Sequence, residues 1–590
     1  NDGFTLTTTG DGYNDSGATF IYLAIGDDEI GSDEDCLVDV PNAVTADADA
    51  TDTTGGYQRG NYATMNPLHS PTGSSFSNGN LQVSNSGGWY SHTGTIGVAS
   101  GKWYYEFEKT SGSYTGVGWR NDITTAGNPS FNANGGGIYL SHNGNKQSSA
   151  GSASYGATWG SGDIVGVAFD RDAGTIEFYK NGVSQGQAFT GMTDGTFFPE
   201  VQIYQSGGVI NFGQMRFKYP MPSGYAALNT TALPAATIPD ASVYFNTQLW
   251  TGNGADNRTV TGYGFQPDLA WIKVRNQNYN HNWQDAVIGT GSYLSTNNNT
   301  AATTENRHVK SFDSDGFTLG TGSFVNGNND TYVGWAWDAG SSTVSNTSGS
   351  ITSSVRANPS AGFSICKITT PSSDGAYTFG HGLNAVPELI IYRIYDQNMS
   401  WYVYHKGLGA ANKYTLLNAT NAANSGSYVF NNTYPTSTLV TDYAGNSSHH
   451  NEGRDMIYYC FAPVAGFSKI GTFVNPSSTD GAFVYCGFRP AFLLAKCAEN
   501  ISSSSGTGDW IIKDSKRSPF NTPSNNNTLV ANVSNAEDAY YNANQAAVDF
   551  LSNGFKIRHN NTSPLGDPGR RYIFIAFAEN PFQANGGLAS

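Results

Sequence analysis

Charge is the scarcest commodity in this 590-residue chain. Asp, Glu, Lys and Arg make up 13% of it, against about 25% in ordinary soluble proteins. Basic residues are the scarcer sign: 30 Lys and Arg face 46 Asp and Glu, a net charge of −16. That argues against a nucleic-acid partner, because phosphate binding needs clustered cations. No apolar run approaches the ~18 residues that span a bilayer as a helix, so membrane insertion is not expected. Cysteine is also scarce. The five (Cys36, Cys366, Cys460, Cys486 and Cys497) contain no CxxC pair, so no zinc or dithiol motif is present. An odd, patternless count suggests free, buried thiols and assembly in a reducing cytosol, with a disulfide between two of the last three as the alternative. Helical periodicity is missing too. Glu537 to Phe550 is the single short candidate. There is no nucleophile elbow and no phosphate-cradling glycine loop.

Aromatic residues are abundant at 13%, alongside 71 glycines and many Ser, Thr and Asn. Disordered chains lack such aromatic content. The mixture fits many short strands joined by turn-rich loops, a composition of rigid extracellular or virion proteins. Length allows about four domains. The expected fold class is all-β: a multidomain chain of antiparallel β-sandwich or jelly-roll-like domains.

The stretch from Gly101 to Gly213 carries the clearest pattern. In Trp103-Tyr104-Tyr105-Glu106-Phe107-Glu108 aromatic side chains alternate with carboxylates, the period of a half-buried strand. Ile164 to Phe169 is a second strand, Asp170 to Gly174 a turn, and Thr175 to Tyr179 returns antiparallel. Asn181-Gly182 marks the next reversal. This order, with the lead-in Met65-Asn66-Pro67-Leu68 and SNGNLQV at Ser77 to Val83, resembles a SPRY (B30.2-type) domain across about 58–216. The resemblance implies a concanavalin-like sandwich that binds through loops and carries no chemistry of its own.

A second pattern repeats. Asn1-Asp2-Gly3-Phe4, Ser314-Asp315-Gly316-Phe317 and Ser552-Asn553-Gly554-Phe555 each precede a closing aromatic strand (Phe20 to Ile25, Tyr332 to Trp337, Tyr572 to Phe577). Upstream lie Pro267, Pro387 and Pro490, 120 and 103 residues apart, each leading into an apolar strand, followed by Trp283, Trp401 and Trp510. Three complete units are expected, each one small domain: 241–341, 361–465 and 466–582 (466–590 with its tail). The tail of a fourth lies at 1–30, so position 1 falls inside a recurring motif, and the sequence reads as the later part of a longer or processed polypeptide. The middle unit lacks the Asp-Gly-Phe turn and carries His449-His450-Asn451-Glu452 instead. An acidic linker at 31–57, a Pro/Ala-rich spacer at 217–240 and a Ser/Thr-rich linker at 342–360 separate the modules. With CLVDVPNAV at Cys36 to Val44 and Arg59 to Ala63, the arrangement resembles large structural proteins of marine tailed phages. That resemblance implies a virion component assembled in the host cytoplasm, a tail fibre or other host-facing appendage among other virion proteins.

Candidate chemistry is sparse. Glu106 and Glu108 lie ~6.6–7 Å apart along one strand face, a spacing open to glycosidase carboxylates. Solvent exposure or cross-strand pairing is the plainer reading. Asp170 and Asp172 read as turn residues. Asp27-Asp28-Glu29, Asp33-Glu34-Asp35, Asp47, Asp49 and Asp52 could take Ca²⁺, but a solvated charge run is the commoner outcome. His449, His450, Glu452 and Asp455 form the one His/carboxylate cluster. Adjacent histidines on a strand point to opposite faces, so it reads as an exposed loop. No catalytic residue, metal ligand or cofactor is assigned.

Recognition is what remains. The resemblance places ligands on loops at one end of the sandwich, and the candidates there are Tyr114, Arg120, Asn121, Tyr139, His142, Asn143, Tyr155, Tyr204 and Gln205. Aromatic faces beside amides suit sugar rings and peptides equally. Trp119 and Trp159 read as core. The expectation is a non-enzymatic virion appendage binding a host-surface glycan or protein, and homo-oligomeric, as a trimer, to cover apolar edges. A decoration protein without receptor role and a polysaccharide depolymerase are the alternatives.

Overall fold

A computed structural model describes residues 61–71, 73–121, 135–445, 451–476, 481–499, 508–521, 527–541, 546–558 and 564–581. Within these it is all-β, and its one α-helix is the single turn Ser323–Asn326. The repeat tail at 1–30, the acidic linker with its candidate Ca²⁺ ligands, Cys36, His449 and His450 lie outside the described residues. Glu537 to Phe550 forms no described helix: its first residues are turns and Val548–Leu551 is a strand.

Two long antiparallel strands, Lys102–Arg120 and Phe198–Asn211, organise the SPRY sandwich by pairing with each other along their whole lengths. The first half of Lys102–Arg120 also pairs with Ile164–Asp170, and its second half with Gly137–Leu140. Alternation sends Trp103, Tyr105 and Phe107 into the core with Val117, Trp119, Val165, Phe169 and Ile203. Trp159 is buried there too.

The opposite face of that strand is not solvated. The expected spacer folds back over it: Phe217 is buried against Tyr104, Ala226–Ala227 runs parallel to Trp103–Tyr104, and Leu228 and Thr230 are buried. Its backbone supplies partners for Glu106, which accepts hydrogen bonds from the Lys218 and Tyr219 amides at 2.7 and 2.9 Å. Glu106 is therefore sealed in, while Glu108 stays exposed, and the two carboxylates do not share one surface. Burial raises the Glu106 pKa, against the lowering effect of the two amides.

The repeat units each supply one larger sheet with a recurring spatial order. In the first it is Phe245–Thr251, Thr331–Trp337, Leu269–Val274, Asn282–Asp285; in the second Phe363–Thr369, Asp455–Phe461, Leu389–Ile394, Tyr402–His405; in the third Ser468–Val474, Arg571–Pro581, Phe488–Cys497, Ile511–Asp514. A smaller sheet accompanies each, with three strands in the first and third units and two in the second. The missing strand is the one the Asp-Gly-Phe hairpin provides elsewhere. Its glycine is required by close approach: a Cβ on Gly316 or Gly554 would lie 2.0 Å from the carbonyl oxygen of Val260 or Val484. The Ser/Thr-rich linker is itself a hairpin, Thr343–Asn346 with Ser353–Asn358, which widens the middle sheet to eight strands.

The three units share an interior, while the first and second also keep smaller clusters of their own. Their inner faces meet in one core: Leu269 and Trp271, Leu389 and Ile391, Phe492 and Leu494 with the closing residues Trp337, Phe461 and Phe577. All of these but Leu269, together with Trp283 and Ile575, surround a small apolar void at the centre. Register makes Lys273, Arg393 and Lys496 equivalent, and likewise Asn297, Asn418 and Asn532. Each asparagine accepts from the backbone of an equivalent residue: His281, Trp401 and Trp510, at 3.0, 3.0 and 2.9 Å. The structural counterpart of Trp401 and Trp510 is thus His281, not Trp283, because Trp283 pairs with Trp271 two residues further along the same strand.

These equivalents reach across to the neighbouring unit in a cycle. Trp401 Nε1 donates to the Ser295 carbonyl of the first unit, and Trp510 Nε1 to the Leu416 carbonyl of the second, both at 2.8 Å. His281 closes the cycle. Its Nδ1 accepts from Trp271 Nε1, so Nε2 carries the hydrogen and faces the Val530 and Val533 carbonyls of the third unit at 3.1 Å. Burial lowers its pKa to about 3, so the ring stays neutral and the tautomer fixed. The result is a closed ring of three units with pseudo-threefold symmetry in one chain.

The SPRY sandwich sits on the third unit. Phe198 packs edge-on against Tyr485 at 4.8 Å, Asn553 Nδ2 donates to the Thr95 carbonyl at 2.8 Å, and Lys556 Nζ to that of Leu68 at 2.9 Å. Cys366, Cys460, Cys486 and Cys497 are free and buried.

Candidate binding surface

Far from that seat the two long strands bend. Gly112 adopts φ +85°, and a Cβ there would lie 2.0 Å from the Gln205 carbonyl oxygen; Gln205, beside Gly112's partner Ser206, takes φ +45°. Two left-handed residues thus sit diagonally across the strand pair, and the register shifts close by, between Gly207 and Gly208. The bend turns the cross-strand pair Tyr114 and Tyr204 toward solvent.

A third ring joins them. Asn85 Nδ2 donates to the Gly88 and Ile203 carbonyls, both at 3.0 Å, and so fixes the turn that carries Trp89. Trp89 lies 5.7 Å from both Tyr114 and Tyr204, and the two tyrosines are 5.8 Å apart. Trp89 and Tyr114 are each 37% exposed. His142 stands edge-on to Tyr114 at 4.7 Å, on the turn after Gly137–Leu140. Partial burial and nearby Lys109 lower its pKa below the ordinary 6.5. Lys109 itself is buried beneath, donating to the Ser113 carbonyl and Ser141 Oγ at 3.2 and 3.3 Å. Exposed Gln205 and Asn143 supply amides at the rim. The surface is an uncharged aromatic platform with polar edges, able to stack on a ligand and hydrogen-bond its periphery.

The structure brings together Tyr114, His142, Asn143, Tyr204 and Gln205 of the expected set and separates the rest. Tyr139 is fully buried, edge-on to Tyr155 at 5.3 Å, and its hydroxyl donates to the Ala157 carbonyl. Tyr155 donates to the Gly186 carbonyl and packs on Phe178. Tyr139 belongs to the sandwich interior because Gly137–Leu140 faces the core there, and half-buried Tyr155 packs against that core. Arg120 is 2% exposed and ion-paired with fully buried Glu200 at 3.0 Å, with Ser91 Oγ bonded to both. It is a core cation, not a ligand contact. Asn121, beside it, donates to the Asp194 carbonyl at 3.0 Å. Arg120 lies six residues from Tyr114 on one strand, ~20 Å away. Trp89 was missing from the expected set, its only signal being an aromatic within the glycine-rich turn Ser86-Gly87-Gly88-Trp89.

Among the described residues no three His, Cys, Asp or Glu side chains are grouped to hold a metal ion. Asp455, from the expected His/carboxylate cluster, accepts instead from Thr369 and Tyr395.

The fold and this surface define an all-β protein with a SPRY sandwich mounted on a three-unit ring. Residues 102–215 match the SPRY domain family. Residues 240–581 match the family described as a domain of unknown function, DUF7483, and this match, over more than half of the sequence, places the chain in that family. It spans the ring from first strand to last. Among curated proteins, an Arabidopsis thaliana E3 ubiquitin-protein ligase RKP is 39% identical over 72 residues, 11% of this chain and 6% of that protein. The Drosophila melanogaster ATP-dependent RNA helicase Ddx1 is 28% identical over 167 residues, 26% of this chain and 23% of the helicase. This chain therefore spans less than a quarter of either relative. The SPRY domain of human HERC1 superposes with a TM-score of 0.23 at 22% identity, covering 25% of this chain and 96% of that domain.

Proposed function

We propose that this chain is a non-enzymatic structural protein of a virion, a host-facing appendage whose SPRY platform binds a glycan or protein of the host surface. A SPRY sandwich is a protein-interaction module, and the observation that carries the finer reading is placement. The sandwich is fixed to the ring by the end bearing Phe198, and the Trp89–Tyr114–Tyr204 platform opens at the other end of the same strand pair. A rigid mount on one side and an uncharged aromatic surface on the other suit display. Low charge and a triplicated core suit a structural part. Assembly in the host cytoplasm fits the four free, buried thiols. Turnover is not part of the reading: the platform carries no carboxylate, and Glu106 is sealed.

The test is binding of the purified full chain, fluorescently labelled, to host cells and envelope fragments. Saturable binding that Trp89→Ala with Tyr114→Ala reduces at least tenfold, with melting unchanged, is expected. Unaltered binding of that double variant would remove the platform from the reading. No binding by the parent chain would favour a decoration protein without receptor role, and new reducing ends on envelope polysaccharide would make it a depolymerase.

A further inference from the structure

Two of the ring's three joints are covalent. The first and second units connect through 338–342 and the second and third through 462–467, whereas the first and third meet only by contact. That seam carries a charge clasp. Arg275 of the first unit donates through Nε and Nη2 to both Glu537 oxygens at 2.9 and 2.7 Å, and Arg517 Nη1 reaches the same carboxylate at 3.0 Å. Arg517 also pairs with Asp514, which accepts from Trp335 Nε1 of the first unit at 3.0 Å, and its guanidinium lies 5.6 Å from the Trp335 ring. Backbone bonds line the clasp: Glu537 N to the Arg275 carbonyl and Ala536 N to Asn278 Oδ1, both at 2.7 Å. At the covalent joint between the second and third units the acceptors are backbone carbonyls instead, Leu416 for Trp510 and Ala419 for Lys496.

We propose that the seam is an exchangeable joint: the ring opens there, and the third unit of one chain closes on the first unit of a second copy. The surfaces are already complementary, since the joint is head-to-tail and any copy offers the same two faces. Opening would bare Trp335, Trp337 and Phe245 on one side and Phe492 and Phe577 on the other, rings now in contact at 5.0–5.7 Å. So much aromatic surface does not persist in water, and at high local concentration a second copy covers it. The connection 462–467 is the hinge; it contains Gly466 at φ +78°, a conformation open to glycine at low cost. This inference is independent of the SPRY platform and concerns how copies link.

Asn278→Cys with Ala536→Cys places a thiol on each side of the seam. The full chain, held at a series of concentrations in sub-denaturing urea, returned to buffer and oxidised with diamide, is resolved on a non-reducing denaturing gel. Intrachain-linked monomer is expected at dilution, and covalent dimers and larger species whose share rises with concentration. Glu537→Gln should raise that share severalfold. Intrachain links alone at every concentration, or an unchanged dimer share in Glu537→Gln, would overturn the proposal. Should the double-cysteine variant not fold, light scattering of the unmodified chain after the same treatment decides: a dimer that survives dilution supports exchange, and monomer throughout overturns it.

Discussion

At the scale of single residues the molecule separates groups that look alike in sequence. Arg120 and Tyr114 lie on one strand, yet one is a buried cation and the other a surface ring. Removing Glu200 strands the Arg120 charge in the core, so Glu200→Ala is expected to cost about 3–5 kcal/mol, read as a lower urea midpoint. Trp510→Phe removes one cross-unit hydrogen bond and part of a buried ring system, and should cost about 2 kcal/mol. Calorimetry checks both. A larger loss for Trp510→Phe than for Glu200→Ala would contradict this ranking.

At the scale of elements, the clasp and its neighbours set a pH dependence. Burial alone would raise the Glu537 pKa, but Arg517 and Arg275 outweigh it and hold the carboxyl below its ordinary value of 4.5. The stabilisation it gives is complete above that value and lost as pH falls through the lower folded one. Asp538, raised by burial, works in the opposite sense, and Lys513, lowered by burial, faces the same cluster with Asp514. Amide protection factors at Val530 to Val533 and Asn278 to His281 should therefore drop as pH falls below 4.5, before those at the Trp510–Leu416 joint respond. An equal drop at both joints would contradict a clasp specific to the seam.

At the scale of the whole molecule, the ring and the SPRY sandwich are coupled through few side chains. Tyr485→Ala with Asn553→Ala removes the stacking partner of Phe198 and the bond to Thr95. One calorimetric transition is expected to split into two, with the SPRY step lower. A single transition at unchanged temperature would mean that the seat contributes nothing. Family matching treats the ring as one piece, 240–581, in keeping with the core its three units share.

Local pattern was enough for the sandwich strands, the turn at Asp170 and the Asp-Gly-Phe hairpins, because alternation and turn chemistry act between near neighbours. Asp170 Oδ1 indeed accepts from the Ala173 amide at 3.0 Å. Three of the four platform residues, Tyr114, His142 and Tyr204, were legible from their position in the SPRY pattern. Trp89 was not, because no periodicity marks a turn residue whose neighbouring asparagine anchors it to a strand 118 residues away. The sequence by itself determined an all-β chain, a SPRY sandwich and three repeats. Only the tertiary structure decided that the spacer covers Glu106, that Arg120 is core and that the repeats share one interior. Each of these depends on which surfaces meet after folding, and burial between residues 80 or more positions apart, as in Arg120 with Glu200, leaves no local trace.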